Sequence, residues 1–451
     1  MNPIRSRLER ARRTLREDST LQAVLKHTGW LTGSNGGIFV LAALQGILTG
    51  RLLGVEVWGM LGVALSFSIV TSRLLSFRMH EFVTKWVTEF KGDGTARAAT
   101  VFKLALFGDV GSALIAFAIV ELLAGWGASA FAKNPDFTWA FRCLALTIVF
   151  QAGQESLVGI LHVAREFRAQ SLIQTASQAA SLCGVAIVFL AGGGVRGVVW
   201  VLVGAAALSS VLIWTFGLRA ARTVLAPGWL REKVIGLGEL QRELARFAIL
   251  GNLSGTLSSV MNDGDLLVLG FLRNPVEVGY YKLAKSIAQI AYMPVTPLAH
   301  ASYPEFSAAA AEGSWVKFRT LIRRGTKVMS LWIIPVCAAL ALLAWPGIAI
   351  LYGPSFVPAV PAVAILLVGV GIDGVLFWTR ITLLAMGEPG YATVVNLWTT
   401  AAKYALAFLL VPVGGYLALA ALHSLALAGM NVLTARRTLT RLRVKEAMTD
   451  G

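Results

Sequence analysis

The sequence is short of charge. Of its 451 residues only 14% are Asp, Glu, Lys or Arg while 56% are hydrophobic, a balance that excludes an ordinary soluble enzyme, in which about a quarter of residues are charged. Histidine is scarce, and His27, His80, His162, His300 and His423 stand apart, without the spacing that sets two imidazoles on one metal. The cysteines, Cys143, Cys183 and Cys337, all fall in apolar runs and form no C-x-x-C pair, so they read as small buried hydrophobes. No G-x-x-x-x-G-K-[ST] loop occurs, which excludes ATP hydrolysis by a P-loop. Long polar connections are missing as well: none exceeds about 30 residues, too few for an extramembrane domain that could hold a nucleotide sugar.

What the chain does have is apolar runs, each near the ~20 residues that cross a bilayer core of ~30 Å. In the first half they lie near 29–49, 57–77, 101–123, 139–161, 172–191 and 197–216, and in the second near 246–270, 281–302, 328–351, 359–385, 393–412 and 415–434. The expected fold class is therefore an all-α polytopic membrane protein with about twelve transmembrane helices. Its domains are a basic segment over 1–27, a six-helix lobe over 28–218, a cytoplasmic linker over 219–245, a second six-helix lobe over 246–435 and a basic tail over 436–451.

Basic residues set the orientation, because Lys and Arg are retained on the cytoplasmic side during insertion. They crowd alternate connections: the leader (Arg5 to Lys26), 73–103, the Arg165/Arg168 turn, 219–246, 317–327 and the tail from Arg436 to Lys445. The intervening connections carry only Arg51, Lys133, Arg196 and Arg273. Both termini are thus expected in the cytoplasm. The net charge of +16 is spread over short juxtamembrane loops and forms no single face, so nucleic acid is not a partner. The first 27 residues hold no apolar core of a cleavable signal, so the first span serves as an uncleaved anchor. Residues 3–26 read either as a basic helix on an anionic leaflet or as plain topogenic charge.

The corner between the seventh and eighth spans, NDGDLLVLGFLRNPVEVGYYKLAKSI from Asn262 to Ile287, has a counterpart about 220 residues earlier. Gly50, Leu52, Gly59 and Ala64 repeat Gly270, Leu272, Gly279 and Ala284. The offset holds elsewhere: Gly194 and Gly197 precede Gly415 and Ala418 by 221, and Ala164 precedes Ala385 by 221. A constant offset across separated sites indicates a duplication with both copies in the same orientation.

Ionisable groups within spans carry the functional signal, since a charge in hydrocarbon costs at least ~2.5–3.5 kcal/mol. Asp373 and Lys403 sit near the middle of their spans, and Arg380 follows Asp373 by seven residues, about two turns along one helix face. Lys282 and Lys285 share a face at a span mouth, with Arg51 and Arg142 at span ends in the first half. Arg380, Lys403, Lys285, Lys282, Arg142 and Arg51 suit a phosphate or pyrophosphate headgroup. Asp373, Asp265, Glu155 and Asp109 balance that charge or take up H⁺ or Na⁺. The alternatives are snorkelling for the span-end groups and a structural ion pair for Asp373 and Lys403. Asp263-Gly264-Asp265 has the form of a metal-binding D-x-D, but residues two apart point to different sides of a helix. Pro294, Pro297, Pro335, Pro346, Pro358 and Pro361, with Gly369, Gly371 and Gly374, mark places where spans can bend.

DLLVLG followed by VGYYKLA (Asp265 to Ala284) resembles the signature of the polysaccharide and O-antigen flippases of the multidrug/oligosaccharidyl-lipid/polysaccharide exporter superfamily. RLLGVEVWG (Arg51 to Gly59), YPEF (Tyr303 to Phe306), YGPSFVPA (Tyr352 to Ala359), LAMGEP (Leu384 to Pro389) and VPVGGYLALA (Val411 to Ala420) follow in that family's order. The resemblance implies two six-helix lobes around a central cavity that opens alternately to either side. It implies a lipid-linked oligosaccharide as cargo, commonly on undecaprenyl pyrophosphate, moved across a bacterial inner membrane for O-antigen, lipopolysaccharide or other surface polysaccharide. Membrane lipids and polysaccharide polymerase or assembly proteins would be its partners, and no cofactor is expected. The chain lacks the two additional helices of the lipid II flippases. A cation-coupled multidrug exporter shares the architecture, and a membrane glycosyltransferase or polymerase is the competing class that short loops weigh against.

Overall fold

Glycine sets the sharp bends inside the two longest helices of this chain. A computed structural model describes residues 19–76, 79–91, 95–225, 228–231, 242, 260–293 and 295–449, and all its regular elements are helical. Helix α1 (Ser19–Leu75) bends at Gly54, whose φ of 72° and ψ of 173° suit only glycine. It is followed by α2 (Met79–Phe90), α3 (Thr95–Ala130), α4 (Thr138–Gln151), α5 (Gln154–Val163), α6 (Phe167–Leu190) and α7 (Val195–Leu225). The second half holds α8 (260–272), α9 (Pro275–Tyr292), α10 (Val295–Ala311), α11 (Trp315–Leu351), α12 (Val360–Val375), α13 (Trp378–Ala385) and α14 (Pro389–Thr449), the last bent at Gly415 with φ 57° and ψ −149°.

Eight helical stretches among the described residues are long and apolar enough to cross a membrane. At 57 and 61 residues, α1 and α14 would reach about 85–90 Å if straight, against a ~30 Å bilayer core, so each bends back on itself. The expected span over 246–270 and the leader lie largely outside the described residues.

The two halves break at corresponding places. The fourth span of the first half is split into α4 and α5 at Ala152 and Gly153, and that of the second into α12 and α13 at Leu376 and Phe377. Pro335 and Pro346, expected to bend a span, lie inside the continuous α11. A proline removes one backbone hydrogen bond, which neighbouring helices tolerate in a membrane. The sharp bends at Gly54 and Gly415 instead need a φ that only glycine adopts freely.

At one end of the molecule both halves share a single apolar core, with Trp58, Phe67, Phe141, Tyr281, Leu283 and Phe356 among its members. At the other end the described residues form two cores. One, around Phe82, Trp86, Phe102 and Trp229, belongs to the first half, and the other, around Phe306, Phe318, Ile333 and Trp378, to the second. The molecule is thus two lobes joined at one end and split at the other. The described parts of the basic connections, which flank these two cores, lie at the split end.

The joint is built from the repeated glycines. A methyl group on Gly59 would lie 1.9 Å from the Pro275 carbonyl oxygen, and one on Gly279 would lie 2.4 Å from the Val55 carbonyl oxygen. Gly50 packs on the Tyr352 ring, and Gly270 on the Phe131 carbonyl. Val55 and Pro275 are themselves 220 apart, and Phe131 and Tyr352 are 221 apart. Each contact therefore has its reciprocal, the pattern a two-fold rotation between the lobes produces.

Candidate functional site

Asp265 gathers four polar neighbours in the second lobe. Its Oδ1 accepts from Lys403 Nζ at 2.7 Å and the Tyr404 hydroxyl at 3.1 Å, and its Oδ2 accepts from the Tyr281 hydroxyl at 2.6 Å. His423 Nδ1 stands 2.9 Å from Oδ2. Three donors thus hydrogen-bond the carboxylate, and His423 Nδ1 stands beside it without a hydrogen bond of its own. Lys403 also donates to the Met261 carbonyl at 2.9 Å, and the side chains of Asp265 and Lys403 are both 0% exposed.

This overturns the expected role of Lys403 as a headgroup ligand. Its ammonium is sealed in a structural ion pair, and the partner is Asp265, not Asp373. Position along a span gave depth, but it could not give the direction in which α14 presents Lys403. Tyr281, Tyr404 and His423 were not anticipated. Their signal in the sequence is the presence of hydrogen-bonding tips in apolar spans, which are stable only beside a polar partner.

Asp373 belongs to a second cluster. Asn431 Nδ2 donates to its Oδ1 at 2.6 Å, and the Thr379 hydroxyl donates to Asn431 Oδ1 at 2.9 Å. Arg380 is exposed. The expectation that Asp373 and Arg380 lie on one uninterrupted helix face needs correction, because the chain leaves the helix at Leu376 and Phe377 between them.

The acidic residues of the first lobe have structural partners. Asp109 Oδ2 accepts from the Ser156 backbone N–H at 3.0 Å, so a carboxylate from α3 caps the first turn of α5 where the broken span restarts. Glu155 is held by Arg73 Nη1 at 2.7 Å and His80 Nδ1 at 3.1 Å.

The remaining predicted cations do not converge. Arg51 donates to the Ile350 carbonyl and Lys133 to the Phe271 carbonyl at 2.8 Å, each reaching from the first lobe to the C-terminal end of a helix in the second. Lys282 lies 4.4 Å from the centre of the Trp58 ring and 3.3 Å from the Trp58 carbonyl oxygen. Lys285 instead donates to the Asn262 carbonyl, so these two lysines serve different elements. Arg142 Nε is 3.7 Å from Glu121. Arg51 and Lys282 thus bridge the lobes at the joined end, not an interior anion site. For Arg51 the cause is local: the unpaired carbonyls at the C-terminal end of α11 are its nearest acceptors.

In the turn before α9, Arg273 Nη2 lies 2.7 Å from Glu277 Oε1, and this bond holds the guanidinium above its ordinary value. Arg273 Nη1 also donates to the Pro412 carbonyl at 2.9 Å, and Glu277 Oε2 accepts from the Tyr416 backbone N–H at 2.9 Å. That bond lashes two corners of the second lobe together beside Gly415. Among the described residues no group of three or more His, Cys, Asp or Glu could hold a metal, Asp263 and Asp265 included.

A cavity of about 500 Å³ opens between α1, α6 and α7 of the first lobe, lined by Gln45, Gln174, Ser177, Gln178, Ser181 and Ser209 together with Ile38, Leu202 and Ala205. No charged side chain lines it. Its signal in the sequence, missed by a search for charges, is the stripe of Gln174, Ser177, Gln178 and Ser181 at helical spacing in an apolar span.

Residues 24–310 match a family model described as polysaccharide biosynthesis protein. No curated protein sequence gives a significant match. Among solved structures, the chain is similar to an inward-facing multidrug resistance MATE family transporter of the MOP superfamily, at 16% identity and a TM-score of 0.77, covering 91% of this chain and 95% of that one. An outward-facing MATE family transporter gives 15% identity and a TM-score of 0.61, covering 94% of this chain and 96% of that one. The inward closed lipid II flippase MurJ gives 12% identity and a TM-score of 0.70, with 93% of each chain covered. All three share the two-lobed fold, and the inward-facing state is the better fit of the two MATE conformations.

Proposed function

The chain belongs to the polysaccharide biosynthesis protein family, and from that membership we propose that it is a flippase for a lipid-linked oligosaccharide. The cargo is carried on a pyrophosphoryl polyprenol of the undecaprenyl type, from the cytoplasmic to the periplasmic leaflet of a bacterial inner membrane. It supplies O-antigen, lipopolysaccharide or another surface polysaccharide, beside the polymerase or assembly proteins that consume it. The observation that carries this reading is the split core: two lobes joined at one end and parted at the basic end suit alternating access. On this reading there are twelve spans with the boundaries given above, and both termini are cytoplasmic. Arg380 meets the headgroup, and Asp373 balances it in the empty state.

The test is transport in proteoliposomes of a fluorescent undecaprenyl-pyrophosphate oligosaccharide, quenched from outside. Protein-dependent transfer is expected. The fold shared with multidrug transporters favours one rival, so ethidium efflux is measured alongside. Ethidium transport without oligosaccharide transfer would replace the flippase with an exporter.

A further inference from the structure

Most of the candidate charged groups placed above are partnered by one another or by backbone carbonyls, whereas the cavity between α1, α6 and α7 keeps a set of uncharged donors and acceptors. We propose that this cavity is a saccharide subsite, taking the neutral hydroxyl-bearing sugar part of the cargo and not its pyrophosphate. The inference rests on the flippase reading and assigns the sugar a place of its own.

Three observations carry it. First, the lining chemistry is amide and hydroxyl only: Gln45, Gln174 and Gln178 each offer a carbonyl and an NH₂, and Ser177, Ser181 and Ser209 each offer a hydroxyl. A pyrophosphate would call for Arg or Lys and a metal ion for carboxylates, and the cavity has neither. Second, Ser177 is only 9% exposed, and its hydroxyl has no hydrogen-bond partner. The Thr175 hydroxyl, by contrast, bonds back to the Ser171 carbonyl four residues earlier at 2.9 Å, so Ser177 leaves an unsatisfied hydroxyl just beneath the wall of the cavity. Third, Gln178 Nε2 donates to Gln45 Oε1 at 2.7 Å, which ties α6 to α1 and fixes both amides. Each amide then keeps hydrogen-bonding capacity to spare, a pre-set pair of the kind that reads a sugar diol. A cavity of this size is ample for one or two pyranose rings.

The experiment uses the full chain with Cys143, Cys183 and Cys337 replaced by Ala, reconstituted in nanodiscs. Ser181→Cys is the reporter inside the cavity, Gln174→Cys is a second reporter at an exposed position that tolerates substitution, and Glu166→Cys at the exposed start of α6 is the control. N-ethylmaleimide labelling is followed by mass spectrometry. The probes are the lipid-free oligosaccharide released by mild acid from the host's lipid-linked pool, at millimolar concentration, and inorganic pyrophosphate. The expected result is at least threefold slower labelling at Ser181→Cys or Gln174→Cys with the oligosaccharide, no change with pyrophosphate, and no change at Glu166→Cys. Equal labelling with and without oligosaccharide at both reporters, or protection by pyrophosphate alone, overturns the proposal. The transport assay is independent of this result. Protection without transport keeps the sugar site and refutes the flippase, and transport without protection does the reverse.

Discussion

Gly59→Ala tests the joint between the lobes. The added methyl would stand 1.9 Å from the Pro275 carbonyl oxygen and 2.9 Å from the Gly279 nitrogen, where ordinary contact begins at 3.4 Å. Both neighbours are backbone, so no side-chain rotation relieves the clash. The helices at the joint must separate by about 1.5 Å, and overpacking of this kind costs ~1–3 kcal/mol. Alanine is the better helix former by ~1 kcal/mol, but that gain is the same in every conformation in which residue 59 is helical and cancels in the comparison. The state with this end joined should therefore lose roughly 5- to 150-fold against states in which it opens. Spin labels at Asp136→Cys and Ser355→Cys, exposed in the two lobes near this end, report the separation in a cysteine-free background. Gly59→Ala should add a longer distance to the distribution. Gly111→Ala, which meets nothing within 4 Å, should not. A folded Gly59→Ala protein with an unchanged distance distribution would refute the packing argument.

Lys403→Met should destabilise the protein by ~3–5 kcal/mol, because the Asp265 carboxylate would stay buried without its cation. Adding Asp265→Asn should recover most of the loss in thermal unfolding, and equal unfolding temperatures for wild type and Lys403→Met would contradict the pairing. Gly415→Ala puts a side chain into a glycine-only backbone region, at ~1–3 kcal/mol, and a methyl 2.3 Å from Glu277 Oε2. Its melting temperature should fall, with Glu277→Ala relieving only the contact and not the strain. Arg380→Ala should weaken capture of the lipid-linked substrate more than tenfold through loss of a charge-assisted contact of ~1.5–3 kcal/mol. Arg380→Lys should restore part of it, and full transport by Arg380→Ala at matched protein level would remove Arg380 from the headgroup site. A reporter fused at Gly451 should report the cytoplasm, and periplasmic signal there would reject the proposed topology.

Much of the architecture could be read from the sequence because it depends on local rules. A run of apolar residues of bilayer length must be helical to satisfy its own backbone, and the constant offset between Gly50 and Gly270 identified two corners before either could be seen to touch. The sequence could not say that those glycines meet across the lobes, since reciprocal contact is a property of the rotation between two folded units. The same limit governed the charges. Depth in a span can be counted along one dimension, so Asp265, Asp373 and Lys403 stood out. Which of them face each other depends on helix rotation and on breaks such as the one at Leu376 and Phe377. Tertiary packing joined Lys403 to Asp265 and turned Arg51 onto the end of α11. It also brought a polar stripe on α6 opposite Gln45 of α1, from uncharged residues too ordinary in composition to stand out alone.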